Sequence, residues 1–274
     1  MMFDLMVTYD PLPSAYEISA ERDRWRLLRV EGLTPPPVNV NTSAAGAVDG
    51  TFFNSAVMGQ RNIVLTIMPR GNISENRRQI YKMFPLHKEI QLIFSDYYDS
   101  TNKYINGYVE SIEGSLFDNP ETLTISIICP RPYFESASTS TNIASAAQGG
   151  TNLRNDGDTE TGFEVDITIS SDVPTGTRIE GLTITNATTG KFIGFSAIFQ
   201  KNDRIHISTI NGQLEAVLNR QSISTPINLM NYLTDNSTWF KLKTGTNYLG
   251  FSTTNSTESY VSATVSRSNL YGGV

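Results

Sequence analysis

Carboxylates are the first side chains in this chain that could do chemistry. Glu160, Glu164, Asp166 and Asp172 lie close together in sequence. Paired acids of this kind carry out glycoside hydrolysis, one protonating the leaving oxygen and the other attacking or activating water. Their spacing points elsewhere. Glu164 and Asp166 alternate with Phe163, Val165 and Ile167, the period of a half-buried strand, which puts both acids on its wet face. Asp156, Asp158 and Glu160 alternate as calcium ligands do, but lack a twelve-residue loop closed by glutamate, so they read as a solvated turn. His87 and His206 have no serine, cysteine or second histidine at a spacing that would make a nucleophile or a metal site. Cys129 ends the run Leu123, Ile125, Ile127 and reads as a small core residue. As the only cysteine, it excludes an intramolecular disulfide and a cysteine-based zinc site. There is no glycine-rich phosphate loop. The expectation is no catalytic residue, no metal ligand and no cofactor, hence no enzyme.

One binding chemistry stays open. Trp239, Phe240, Tyr248, Phe251, Tyr260 and Tyr271 fall in the second half, and exposed rings stack on sugars. Trp239 and Tyr248 are the candidate glycan contacts. Core packing accounts for such rings as well, and periodicity does not separate the two.

The elements that would position these residues are mostly strands. The chain has 274 residues, 39% of them hydrophobic and only 18% charged, enough for two cores. Serine, threonine, asparagine and glycine are plentiful, which favours strands and turns over surface helices. Residues 1–134 hold 12 basic and 15 acidic side chains and residues 135–274 hold 9 and 12, so each half carries −3. Neither half is a phosphate-binding surface by charge. No apolar run is long enough for a membrane helix. The first residues lack the basic-then-apolar pattern of a secretory signal, so synthesis in a reducing cytoplasm is expected.

In the first half, strands are expected at Trp25–Val30, Ile63–Met68, Glu89–Phe94 and Leu123–Cys129, with turns at Gly46–Gly50 and Asp96–Asp99. The Pro35–Pro37 run reads as an extended connector or edge. One helix is marked by a cap at Asn72 or Ser74, Glu75 in its first turn, and Ile73, Arg77, Ile80, Tyr81 and Phe84 at helical spacing before Pro85. A polar strip at 135–151 reads as a linker. Beyond it come about eight short strands: Phe163–Ile169, Arg178–Asn186, Phe192–Phe199, Asp203–Ser208, Gln213–Leu218, Trp239–Leu242, Tyr248–Ser252 and Ser259–Ser266. Asn211-Gly212 predicts a type I′ hairpin, and Thr188–Lys191 a second hairpin tip. The second half reads as a β-sandwich.

With these residues assembled, the chain resembles the siphophage distal tail (Dit) family. In the first half the resemblance rests on the Gly46–Gly50 turn, Arg61 ahead of Ile63–Met68, the capped helix, a Tyr104–Ile112 hairpin, and Ile128-Cys129-Pro130-Arg131-Pro132-Tyr133-Phe134. In the second it rests on Asn155-Asp156-Gly157-Asp158, Ile184-Thr185-Asn186 before Thr189-Gly190-Lys191, Asn211-Gly212, Leu242 to Asn247, and the Tyr271-Gly272-Gly273 tail. Arg131 before Pro132 and the tripled proline after Thr34 depart from the family pattern.

The resemblance implies a mainly β protein. Residues 1–134 would be a small β-barrel or split-barrel-like domain with one helix, 135–151 a polar linker, and 152–274 a galectin-like β-sandwich. It also implies a structural role at the tail tip or baseplate. A homohexameric ring would join the tail tube protein to the tail hub and receptor-binding apparatus, and DNA would pass through without specific binding. The protein would reside in the virion after assembly in the host bacterial cytoplasm, with no membrane insertion. The competing expectation, from the aromatics, is a carbohydrate-binding adhesin module that reads host-surface glycans.

Overall fold

A computed structural model describes all residues except 1, 2, 10–15, 19–23, 45, 47, 48, 97–100 and 116. The chain divides into two compact units, Met1–Ala137 with Tyr271–Val274, and Ser138–Leu270. The second unit is thus inserted in the first, and the polypeptide crosses between them twice. Among the described residues no helix is long and apolar enough to cross a membrane.

The first unit runs β1 (Phe3–Thr8), β2 (Tyr16–Glu17), β3 (Trp25–Glu31), β4 (Val38–Ala44), β5 (Thr51–Met58), β6 (Arg61–Pro69), α1 (Ile73–Met83), β7 (Glu89–Asp96), β8 (Asn102–Gly114), β9 (Leu123–Cys129) and β10 (Phe134–Glu135). Its main sheet has the order β2-β1-β7-β8-β9-β6-β3, with β10 paired to β8. Among the described residues β2 and β3 do not pair with each other, so the sheet is split rather than closed. Alternation sets its inner face: Ile63, Leu65 and Ile67 of β6 and Leu123, Ile125, Ile127 and Cys129 of β9 are fully buried. The residues between them are only partly so, as the period-2 pattern requires.

Helix α1 starts at Asn72, whose side chain accepts from the Glu75 backbone N–H, satisfying one orphan donor. Ile80, Met83 and Phe84 are buried. Ile73 and Tyr81, expected on the same face, are more than 40% exposed; buried Asn76 takes the inner position instead, donating to the Arg70 carbonyl at 2.6 Å. Tyr104–Ile112, expected as a hairpin, lies within the single long strand β8, bulged between Val109 and Ser111 against β9. Most of the expected turn at Asp96–Asp99, and Ala47 and Val48 of the Gly46–Gly50 turn, lie outside the described residues.

The second unit continues with β11 (Thr139–Ile143), β12 (Thr151–Asn155), β13 (Phe163–Ile169), β14 (Ile179–Asn186), β15 (Lys191–Phe199), β16 (Arg204–Ser208), β17 (Glu215–Asn219), β18 (Ile227–Asn228), β19 (Gly245–Ser252) and β20 (Val261–Arg267), after which β21 (Leu270–Tyr271) returns to the first unit's sheet and pairs with β10. Two antiparallel sheets, β11-β20-β13-β16-β17-β18 and β12-β19-β14-β15, enclose one apolar core. Phe163, Val165 and Ile167 enter it from the first sheet and Ile184, Phe195 and Phe251 from the second. This is a β-sandwich.

Three sequence expectations change here. The strip at 135–151 is not a connector along its length, because Thr139–Ile143 pairs with β20 over five positions. As an edge strand exposed over most of its residues it buries only Ile143, so it carries no apolar alternation that a sequence pattern could reveal. Trp239–Leu242 is not a strand; it contributes only a bridge between Leu242 and Thr161. At Asn211-Gly212 only Gly212 has positive φ, at 79°, and the Gln213 N–H donates to the Ile210 carbonyl at 2.9 Å. That meets the requirement of a type II turn, not of the expected type I′.

Candidate assembly surface and the sandwich face

Between β3 and β6 the chain leaves the main sheet and forms a separate two-stranded ribbon, β4–β5. Val38 pairs with Met58, Asn39 with Val57 and Val40 with Ala56; a bulge after Asn41 then shifts the register to Thr42–Phe53 and Ser43–Phe52. Polar cross-strand bonds hold it, Asn41 Nδ2 to Ser55 Oγ at 2.9 Å and Ser43 Oγ to Asn54 Oδ1 at 3.3 Å. Every residue of β4 is exposed, and Phe52 and Phe53 are 64% and 67% exposed. Val40 and Val57 are open too. A lone hairpin is marginal in water, and burying a phenylalanine is worth about 1.5–3 kcal/mol. Such a ribbon gains stability only against another surface.

The root of the ribbon is rigid. Arg61, the first residue of β6, is 1% exposed. Its Nε donates to the Pro132 carbonyl at 2.7 Å. Nη1 donates to the carbonyls of Gly32 (2.5 Å) and Thr34 (2.8 Å), and Nη2 to that of Gly272 (2.6 Å). The guanidinium also lies 4.5 Å over the Phe134 ring, which meets Phe94 edge-on. Burial lowers its pKa from the usual value, yet an arginine stays protonated. Gly32 is required here: its φ is +83°, and a Cβ would stand 2.1 Å from the Asn62 carbonyl oxygen. The departures at Thr34–Pro37 and Arg131–Pro132 flank carbonyls that Arg61 uses. Cys129, opposite Arg61 in the ladder, has its thiol pushed up to about 12 by burial, with Arg61 opposing; it is inert at neutral pH.

In the sandwich, the residues of the suspected calcium turn serve structure. Asn155 is buried; its Nδ2 donates to the carbonyls of Thr159 and Leu242, and its Oδ1 accepts from the Gly157 N–H. Asp156 pairs with Arg154 at 2.5 Å. Among the described residues no group of His, Cys, Asp and Glu could hold a metal ion. Asn186 and Asn247 are also fully buried and bonded to each other at 3.1 Å, so the recurring asparagines brace turns.

Of the expected glycan contacts, Tyr248 is 46% exposed on β19, while Trp239 is half-buried against the sandwich core. No hydrogen bond or ring contact joins them. Of the suspected acids, Asp166 projects outward from β13 and binds His206 Nδ1 at 2.8 Å, with Glu215 3.5 Å from Nε2. Sequence reasoning did not join these three residues. Only the register Asp166–His206–Val217 brings them onto one face.

Comparison with known proteins agrees with this architecture. Residues 156–265 match the family model for the C-terminal domain of siphovirus-type tail components. No curated protein matches. Among solved structures, the SPP1 Dit (gp 19.1) protein, described as a hub adsorption apparatus of phages infecting Gram-positive hosts, superposes with a TM-score of 0.66 at 17% identity, covering 98% of this chain and 99% of that one. The phage P2 baseplate in its activated conformation with Ca gives 0.56 at 11% identity over both full lengths.

Residues 156–265 thus carry the C-terminal domain of a siphovirus-type tail component. The chain as a whole has the fold of the SPP1 Dit protein.

Proposed function

We propose that this protein is the hub of a siphophage tail tip and acts by assembly rather than catalysis. Copies would close into a homohexameric ring that joins the tail tube protein to the tail hub and its receptor-binding apparatus, with DNA passing through the centre. The observation that carries this reading is the β4–β5 ribbon: an apolar, uncovered hairpin on a rigid root, in a chain with the fold of a hub protein. A ribbon that docks on a different patch of the next copy makes a heterologous interface, and such contacts form a ring when the rotation closes. The occupant proposed is therefore a second copy of this chain. The acidic balance, −6 overall, suits a conduit that does not hold phosphate.

The test is the purified full-length protein by light scattering and negative-stain electron microscopy, alone and with its tube protein. Sixfold rings are expected, and the double change Phe52→Ser with Phe53→Ser should abolish them without lowering the melting temperature of the main sheet. A strictly monomeric wild type that never joins a tube or hub protein would overturn the proposal.

A further inference from the structure

We propose that the outer face of the larger sandwich sheet holds a binding cleft for an anionic polyhydroxyl chain, a saccharide or a polyol phosphate, centred on Arg204. This goes beyond the hub role and does not depend on it. The cleft, about 490 Å³, is lined by Thr168, Asn202, Arg204, Asn219, Arg220 and Gln221. Register builds it: Arg204 of β16 lies between Thr168 of β13 and Asn219 of β17. All three are exposed, while their neighbours Ile167, Ile169, Ile205 and Leu218 point into the core.

The two arginines differ in a way that suits a ligand. Arg204 is exposed, and its side chain makes no hydrogen bond or ion pair among the described residues. Arg220 is fixed. Its Nε reaches both oxygens of Asp203 at 3.1 and 3.2 Å, and its Nη2 reaches Asp203 Oδ2 at 2.8 Å and the Ile198 carbonyl at 2.9 Å. Asp203 is itself wholly buried and accepts the Gln200 N–H. Among the described residues Nη1 of Arg220 has no hydrogen-bond partner, and the residue lines the cleft. Asn202, held at φ +65° in the β15–β16 turn, contacts Gln221 at 3.4 Å. Lys201 adjoins in the same turn.

One free guanidinium beside one fixed one presents a fork for a carboxylate or phosphate oxygen pair. The amides of Asn202, Asn219 and Gln221 and the Thr168 hydroxyl can each donate and accept, which matches sugar or polyol hydroxyls. Asp166, paired with His206, occupies the next row, and Glu164 and Glu215 the row beyond. The face is therefore polarised, and an anion is driven to the Arg204 end. The lining has no apolar centre of the kind that anchors a protein partner.

The experiment is calorimetric titration of the full-length protein with five probes: an oligogalacturonate, a short poly(glycerol phosphate), a neutral galactose oligomer of equal length, inorganic phosphate, and an oligoglutamate peptide. At least one anionic chain should bind about tenfold or more tightly than both the neutral oligomer and free phosphate, and Arg204→Ala should weaken it by about tenfold. Asn219→Ala should weaken it about threefold, a neutral hydrogen bond's share. Since the Arg204 side chain has no partner among the described residues, the variant should melt as wild type does. The proposal falls if neither anionic chain binds, if the neutral oligomer binds equally, or if Arg204→Ala binds unchanged. It also falls if an oligoglutamate peptide binds with the same Arg204 dependence while neither anionic polyhydroxyl chain does, which would assign the face to an acidic protein.

Discussion

Arg61 and Arg220 are both drawn away from water, one by main-chain carbonyls and a ring face, the other by a carboxylate. Arg61 keeps its charge among neutral acceptors from Gly32, Thr34, Pro132 and Gly272. Arg220 is neutralised by Asp203, only 17 residues away, and hydrogen bonding to that carboxylate raises its pKa, whereas burial lowers that of Arg61. The difference sorts their tasks. Neutral acceptors from distant segments make Arg61 a pin that gathers the ribbon root, the β9 exit and the C-terminal tail. A local ion pair makes Arg220 a brace for one hairpin and leaves it an edge to offer elsewhere.

The strongest way to break this contrast is Arg61→Met. It removes the donors but leaves the carbonyls, each of which costs about 1–3 kcal/mol when buried and unpaired. Because some carbonyls will reach water after relaxation, a loss of about 4 kcal/mol in the first unit's unfolding free energy is expected from urea denaturation. A loss below 1 kcal/mol would mean that the root does not depend on Arg61. Next in size is Asp203→Ala, which strands Arg220 and should cost the sandwich about 3 kcal/mol. The double change Asp203→Leu with Arg220→Met should recover most of that, because an ion pair can be replaced by packed apolar groups. No second substitution rescues Arg61→Met, since its acceptors belong to the backbone. Rescue of both, or of neither, would erase the distinction.

A third outcome tests the Arg61 environment by pH. The Cys129 thiol is raised from 9.0 to about 12 by burial. A folded pKa above the unfolded one means that stability is whole below pH 9 and falls as pH rises towards 12, because only the unfolded state ionises in that window. At pH 10 the loss is about 1.4 kcal/mol, and Cys129→Ala should remove that component of the pH slope. An unchanged slope in Cys129→Ala would show that the thiolate is tolerated beside Arg61.

Sequence made some of this visible and hid the rest for physical reasons. Strands β9 and β13 were readable because they alternate strictly over a single core, and α1 because Asn72 and Glu75 write its first turn. Ribbon β4–β5 was not: Val38–Ala44 alternates only over its first four residues and covers no core, so nothing extends the period along it. Arg61 could be noticed, but carbonyl acceptors 27 to 211 residues away carry no side-chain signature. Arg204 and the Asp166–His206–Glu215 group depend on the pairing of β13, β16 and β17. One residue of slip would scatter them to opposite faces. Trp239 and Tyr248 show the converse, since ring chemistry was legible while placement was not.

The smallest expected effect sharpens the same contrast between neutral and charged capture. Glu258 caps the β19–β20 connection; its Oε1 accepts the Thr253 N–H at 2.9 Å, and that backbone bond, ahead of any other cause, lowers its pKa. Here an anion is held by a neutral donor, the mirror of Arg61, but near the surface, where water screens it. A depressed folded pKa contributes stability above the unfolded carboxylate range and loses it as pH falls through the folded value. Glu258→Gln, which keeps the acceptor and removes the charge, should therefore cost only a few tenths of a kcal/mol at pH 7 and progressively less as pH falls through the folded value, by paired urea melts. A cost that persists unchanged at pH 3 would assign the stabilisation to shape rather than charge, and would set Glu258 apart from Arg61.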